Sequence, residues 1–133
     1  MGCYVRVMTT YSPAEAAAES GFSIDTLRYY EREGILPRIE RNAGGRRVYS
    51  DGDLWMLGFL RCLRDTGMSI EQLRRYGELS RDETTMPERV ALLEEHAASI
   101  RARIAELDAT LTRVEEKAEW YRGELRRTGD AAS

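Results

Sequence analysis

Four arginines, Arg38, Arg41, Arg46 and Arg47, fall within ten residues and face only Glu40. A guanidinium is a planar fork of N–H donors that matches phosphate oxygens, so such a cluster points to anion or nucleic-acid contact. The whole chain argues the other way, with a formal charge of −3 over 133 residues. Split by segment, the two statements agree. Residues 1–79 carry eleven arginines against eleven acids, and residues 80–133 carry eight arginines and Lys117 against twelve acids, so the deficit lies entirely in the second half. The field that meets a phosphate is local, and a basic loop on a neutral domain supplies it.

The other reactive side chains are few. Two cysteines, Cys3 and Cys62, and one histidine, His96, cannot build a disulfide framework or a four-cysteine zinc site. There is no CxxC, no phosphate-cradling GxxxxGK[ST] and no nucleophile–histidine arrangement, so the chain is not expected to be an enzyme. His96 falls at a flanking position of a helical repeat, where a solvated side chain is expected. Cys62 lies between Arg61 and Arg64, which would favour a thiolate if the sulfur were accessible. The spacing of Trp55, Phe59, Cys62 and Thr66 instead puts the thiol on an apolar helix face, as a small core residue. Both readings stay open. No run approaches about 18 apolar residues and no secretion signal is apparent, so a cytoplasmic protein without a membrane partner is expected.

The elements that position these residues are marked by their caps. Ser12-Pro13-Ala14-Glu15 reads as an N-cap, a proline at the first helical position and a capping-box glutamate. The short helix that follows stops near Gly21. Ser23 caps a second helix, Ile24–Glu33, closed by Gly34 in a left-handed conformation. Two short helices about a glycine turn form a helix-turn-helix. Residues 38–41 and 46–49 flank Asn42-Ala43-Gly44-Gly45 and predict a β-hairpin. Ser50 and Ser69 then open a third and a fourth helix, ending near Gly67 and Leu79.

From Met86 the apolar residues alternate in steps of four and three: Met86, Val90, Leu93, Ala97, Ile100, Ile104, Leu107, Leu111, Val114, Ala118, Tyr121 and Leu125. Twelve positions at a mean spacing of 3.5 define a coiled-coil seam, on a helix roughly 60 Å long. A narrow apolar stripe on a charged rod calls for a partner helix, and a homodimer is expected. Either strand orientation satisfies the heptads.

In this order the elements resemble the MerR family of transcription regulators. The matching residues are Thr26-Leu27-Arg28-Tyr29-Tyr30-Glu31 with Gly34-Ile35-Leu36-Pro37, Gly45-Arg46-Arg47-Val48-Tyr49-Ser50, Asp53-Leu54, and Leu63-Arg64-Asp65-Thr66-Gly67-Met68-Ser69. Arg46 departs from the pattern, since the family often has an aromatic residue before the wing arginine. The resemblance implies a mainly α fold, a winged helix-turn-helix with a small β-hairpin wing followed by a long antiparallel coiled-coil dimerisation helix. It divides the chain into an N-terminal extension (1–10), the winged domain (11–79), a linker (80–85), the dimerisation helix (86–126) and a disordered tail (127–133).

The resemblance also implies a function without a cofactor. A dimer would bind a pseudo-palindromic double-stranded promoter, bend and untwist an overlong spacer, and so reach RNA polymerase holoenzyme indirectly, through the DNA. Helix two would enter the major groove, with Arg28 on a guanine edge or phosphate, and Thr26 and Tyr29 on phosphate or sugar. Arg41, Arg46 and Arg47 would grip the flanking backbone with Tyr49 anchoring the wing, and Arg61 and Arg64 would hold further phosphates. Dimerisation would fall to Val90, Leu93, Ala97, Ile100, Ile104, Leu107, Leu111, Val114, Ala118 and Tyr121. The run Phe59–Ser69 looks like the thiol-based branch of the family, which answers to aldehydes or nitrosative stress through one cysteine, here Cys62. A regulator answering to a small molecule, or to no effector, with Cys62 structural is the alternative; a bare coiled-coil scaffold leaves the winged half without a purpose.

Overall fold

The computed structural model of the chain describes residues 9–132, so Cys3 and most of the expected N-terminal extension (1–10) lie outside the described residues. Among the described residues five α-helices follow in order: α1 (Pro13–Ser20), α2 (Ile24–Arg32), α3 (Asp51–Asp65), α4 (Ile70–Ser80) and, after a 3-10 turn at Glu83–Thr85, α5 (Met86–Ala132). Ser12, Ser23, Ser50 and Ser69 cap α1 to α4, each in extended conformation with its hydroxyl accepting the backbone N–H three residues on. Glu15, Asp53 and Gln72 return the bond to the cap backbone and complete three capping boxes. Each cap contributes about 1 kcal/mol of helix stability.

The chain divides at Leu92/Leu93 into two compact units. In the first, Leu27 and Tyr30 of α2, Leu57, Leu60 and Leu63 of α3, and Leu73, Tyr76 and Leu79 of α4 are buried with Ala16, Phe22, Ile35, Leu36 and Ile39. The end of α2 is closed as its sequence requires. Gly34 has φ 76°, its N–H donates to the Glu31 carbonyl at 3.2 Å, and the Ile35 N–H reaches back to the Tyr30 carbonyl at 2.9 Å. That turn sends Ile35 against α4, where a Cβ on Gly77 would stand 2.2 Å from the Ile35 carbonyl oxygen. Glycine is therefore needed at 77 by the approach of a neighbouring backbone, not by its own φ.

The structure bears on three expectations about the elements. The predicted β-hairpin forms no strand among the described residues. Arg41 and Arg47 make one isolated antiparallel bridge, and Tyr49 makes a second with Tyr11. The expected linker over 80–85 is part of the first unit. Thr85 Oγ1 donates to the carbonyls of Leu79 (2.5 Å) and Asp82 (2.7 Å), holding the connection against the end of α4. The expected disordered tail is helical, since α5 continues through residues 127–132. Charge pairs lead into this stretch: Arg122 and Arg126 both bind Glu119, and Arg127 binds Glu124.

With 47 residues, α5 extends about 70 Å. Along it Val90, Ile104, Leu107, Leu111, Val114, Tyr121 and Leu125 are each 53–71 % exposed, and Leu93, Ala97 and Ile100 are half-buried. His96 is buried rather than solvated, because a heptad letter describes one seam only and not the rest of the helix surface. None of the helices among the described residues is long and apolar enough to cross a membrane.

Candidate nucleic-acid interface

The 3.6-residue period of α2 separates two faces. Leu27 and Tyr30 point into the core, and Phe22 meets the Tyr30 ring edge-on at 5.1 Å. Asp25, Arg28, Tyr29 and Arg32 are exposed on the opposite side, at the spacing of helical neighbours. The Arg32 guanidinium lies 5.7 Å from the Tyr29 ring centre, a cation–π contact that orders the end of this face. Sequence reasoning singled out Arg28 and Tyr29; Asp25 and Arg32 join them. Thr26 is half-buried and occupied by the cap, its hydroxyl sharing a 2.9 Å hydrogen bond with Ser23 and its N–H donating to the same oxygen.

Beside α2 the two runs of the wing are joined by backbone hydrogen bonds, the Asn42 N–H to the Arg46 carbonyl and the Val48 N–H to the Glu40 carbonyl, both at 2.8 Å, and by side chains. Asn42 Oδ1 accepts from the N–H groups of Gly44 and Arg46, both at 3.0 Å, and Arg41 Nη1 donates to the Gly45 carbonyl at 2.7 Å. Arg38, Arg41 and Arg46 are exposed. Arg47 is tied to α2, its Nε donating to Glu31 Oε1 at 2.8 Å. Tyr49, expected to anchor the wing, is only 1 % exposed. It anchors the wing base, exchanging both backbone hydrogen bonds with Tyr11 at 2.8 Å, while the Tyr11 hydroxyl donates to Asp51 at 2.9 Å. Burial, reinforced by the Glu31 carboxylate, raises the Tyr49 phenol above its ordinary pKa.

On α3 the two arginines expected to hold phosphates also make contacts within the fold. Arg61 Nη1 donates to the Ser20 carbonyl at 3.0 Å and its Nε to Asp65 at 3.4 Å. Arg64 binds Asp65 and covers the Phe22 ring at 4.7 Å. Both guanidiniums thus fasten α3 to the helix-turn-helix, the role their sequence spacing did not reveal. Cys62 is exposed, which overturns the core-residue reading; Leu57, Leu60 and Leu63 form the buried stripe, and Trp55 stacks on Phe59 at 5.4 Å with 66 % exposure. Two arginines of the α4 region went unnoticed in the sequence. Arg74 donates to the carbonyl and the carboxylate of Glu33, and Arg81 to the Gly34 carbonyl at 2.9 Å, placing cations at the C-terminus of α2. Among the described residues no group of three or more His, Cys, Asp or Glu side chains is placed to hold a metal ion.

This arrangement has known counterparts. Residues 11–78 match the model of the MerR helix-turn-helix family of regulatory proteins, and residues 54–117 match a model described as "MerR, DNA binding". The chain belongs to the MerR family. Over 113 residues it is 39 % identical to an uncharacterized helix-turn-helix transcriptional regulator of Haemophilus influenzae, covering 84 % of each chain. It is 41 % identical over 66 residues to the transcriptional regulator AdhR of Bacillus subtilis, covering 50 % of this chain and 47 % of that one. Among solved structures, HiNmlR, described as a MerR family regulator lacking the sensor domain and bound to promoter DNA, superposes with a TM-score of 0.78 at 38 % identity, covering 86 % of this chain and 91 % of that one. The resemblance to the NmlR- and AdhR-like branch is therefore matched by relatives that are transcriptional regulators, not enzymes.

Proposed function

We propose that this MerR-family transcriptional regulator binds a pseudo-palindromic promoter as a homodimer, using the exposed face of α2 in the major groove and the wing on the flanking backbone. The observation that carries the reading is the pairing of faces on one small unit: Asp25, Arg28, Tyr29 and Arg32 point outward from α2, and Arg38, Arg41 and Arg46 are exposed on the adjoining wing. Arg28 is suited to a guanine edge, a pairing worth about 1–3 kcal/mol of discrimination, and the wing arginines to phosphates. The likeness to a structure of a relative on promoter DNA supports the same docking. The exposed seam of α5 supports the dimer, because a stripe of that length left in water is costly. Two half-sites then follow from two protomers, and bending the spacer costs about 1–6 kcal/mol, offset by the contacts it permits. RNA polymerase is engaged through the realigned promoter.

Cys62 is the switch this reading favours, since its thiol is exposed on α3. A thiol adds across an aldehyde carbonyl to give a hemithioacetal, with the thiol proton passing to the oxygen and no oxidant required. A small-molecule-responsive or effector-free regulator is the alternative. Selection of duplexes from a randomised pool tests the main reading. Recovery of an inverted repeat with half-sites a fixed distance apart is expected, and recovery of no common sequence contradicts it. Transcription in vitro from that repeat, with wild type and Cys62→Ser treated with formaldehyde, tests the switch: a response lost in the variant supports it, and equal output retires it.

A further inference from the structure

We infer that Glu31 is the positioning residue of the interface, holding the wing arginine Arg47 beside the outer face of α2; this rests on the DNA-binding reading above. Glu31 sits one turn beyond Leu27, at the border between the buried and exposed faces of α2, with its side chain 15 % exposed. Arg47 arrives from the wing sixteen residues later, 26 % exposed, and donates its Nε–H to Glu31 Oε1 at 2.8 Å.

The atom used matters. A guanidinium has five N–H donors, and a bond through Nε leaves the four at the tip of the fork for another acceptor. Glu31 thus fixes where Arg47 sits without consuming the end that would meet a phosphate. The wing needs such a tie. Its own bonds through Asn42 and Arg41 shape the turn, the Tyr49–Tyr11 pairing holds its base, and the pair with Glu31 joins it to the helix that reads the groove.

Charge makes the pair asymmetric. A carboxylate facing a phosphate backbone repels it unless a cation covers it. With Arg47 present the Glu31 charge is matched; without Arg47 a bare carboxylate remains at the interface. Loss of Arg47 therefore removes one contact and adds a repulsion, whereas loss of Glu31 only frees Arg47 from its place.

The test is a titration of a labelled mixed-sequence duplex with the full chain over a series of KCl concentrations, since phosphate contacts do not depend on sequence. Glu31→Ala is expected to weaken binding roughly tenfold and to flatten the salt slope by about one. Glu31→Gln, which keeps an acceptor oxygen at the same reach, restores most of the affinity. Adding Glu31→Ala to Arg47→Ala strengthens binding relative to Arg47→Ala alone. Wild-type affinity and slope in Glu31→Ala overturn the inference, whatever happens to the melting temperature, and so does a double variant no better than Arg47→Ala. Failure of the wild-type protein itself to bind the duplex removes the DNA-binding reading, and the inference with it.

Discussion

Arg61 reaches from α3 to the end of α1, where its Nη1 donates to the Ser20 carbonyl at 3.0 Å and lies over Gly21 so closely that a Cβ there would stand 1.3 Å from it. The same guanidinium that a sequence reading gives to phosphate is a rivet between two helices. Arg61→Ala is expected to lower the unfolding free energy by about 1–2 kcal/mol in urea titrations. The salt slope for DNA binding should stay at the wild-type value; a slope flattened by about one would return Arg61 to the interface.

Cys62 should behave as a surface residue. Cys62→Ser is expected to change stability by less than about 0.5 kcal/mol, and the native protein should take up one equivalent of iodoacetamide at this position before it unfolds. Protection of the Cys62 thiol until denaturant is added would contradict its exposure.

Alkali should loosen the winged unit. Burial raises the phenol of Tyr49, and that of Tyr30, above the ordinary value of 10.0. The unfolded chain therefore loses these protons first. Stability is fully present below about pH 10 and falls as the pH climbs from there through the raised folded values. Tyr49→Phe keeps the ring and removes the proton, so its stability should decline less steeply above pH 10. An unchanged decline would mean that Tyr49 ionises freely in the folded protein.

The α5 seam makes a separate prediction. Leu107 and Leu111 are 68 % and 53 % exposed on the single chain. Replacing both by Asp costs an isolated helix little but puts charges inside a helix pair. Sedimentation equilibrium should show a dimer for wild type and a monomer for the double variant, and two species of equal mass would contradict the seam.

Much of the fold is legible in the sequence because its signals are local. Each capping serine acts within three residues, and Gly34 closes α2 within four, so neighbours in the chain suffice. The α5 repeat is equally local. What the sequence concealed is what depends on distant partners. Tyr49 pairs with Tyr11, a partner far off in the chain that no local pattern announces. On α3 two apolar stripes compete, Trp55-Phe59-Cys62 and Leu57-Leu60-Leu63, and only the packing of α1 and α4 decides that the leucines go inside. Arginine is legible as a cation but not as to its acceptor. Arg28 and Arg46 remain exposed on the candidate interface, while Arg61, Arg64, Arg74 and Arg81 are used within the fold.

The central claim is that the exposed face of α2 and the wing together bind DNA. The most direct measurement is fluorescence anisotropy of a duplex recovered by the wild-type protein from a randomised pool, titrated with wild type and with Arg28→Ala/Arg47→Ala, alongside sedimentation of both proteins. The account predicts that the double variant loses at least about a hundredfold in affinity, from the removal of two guanidinium contacts, while its mass in solution is unchanged. Wild-type affinity in a correctly assembled double variant would contradict it.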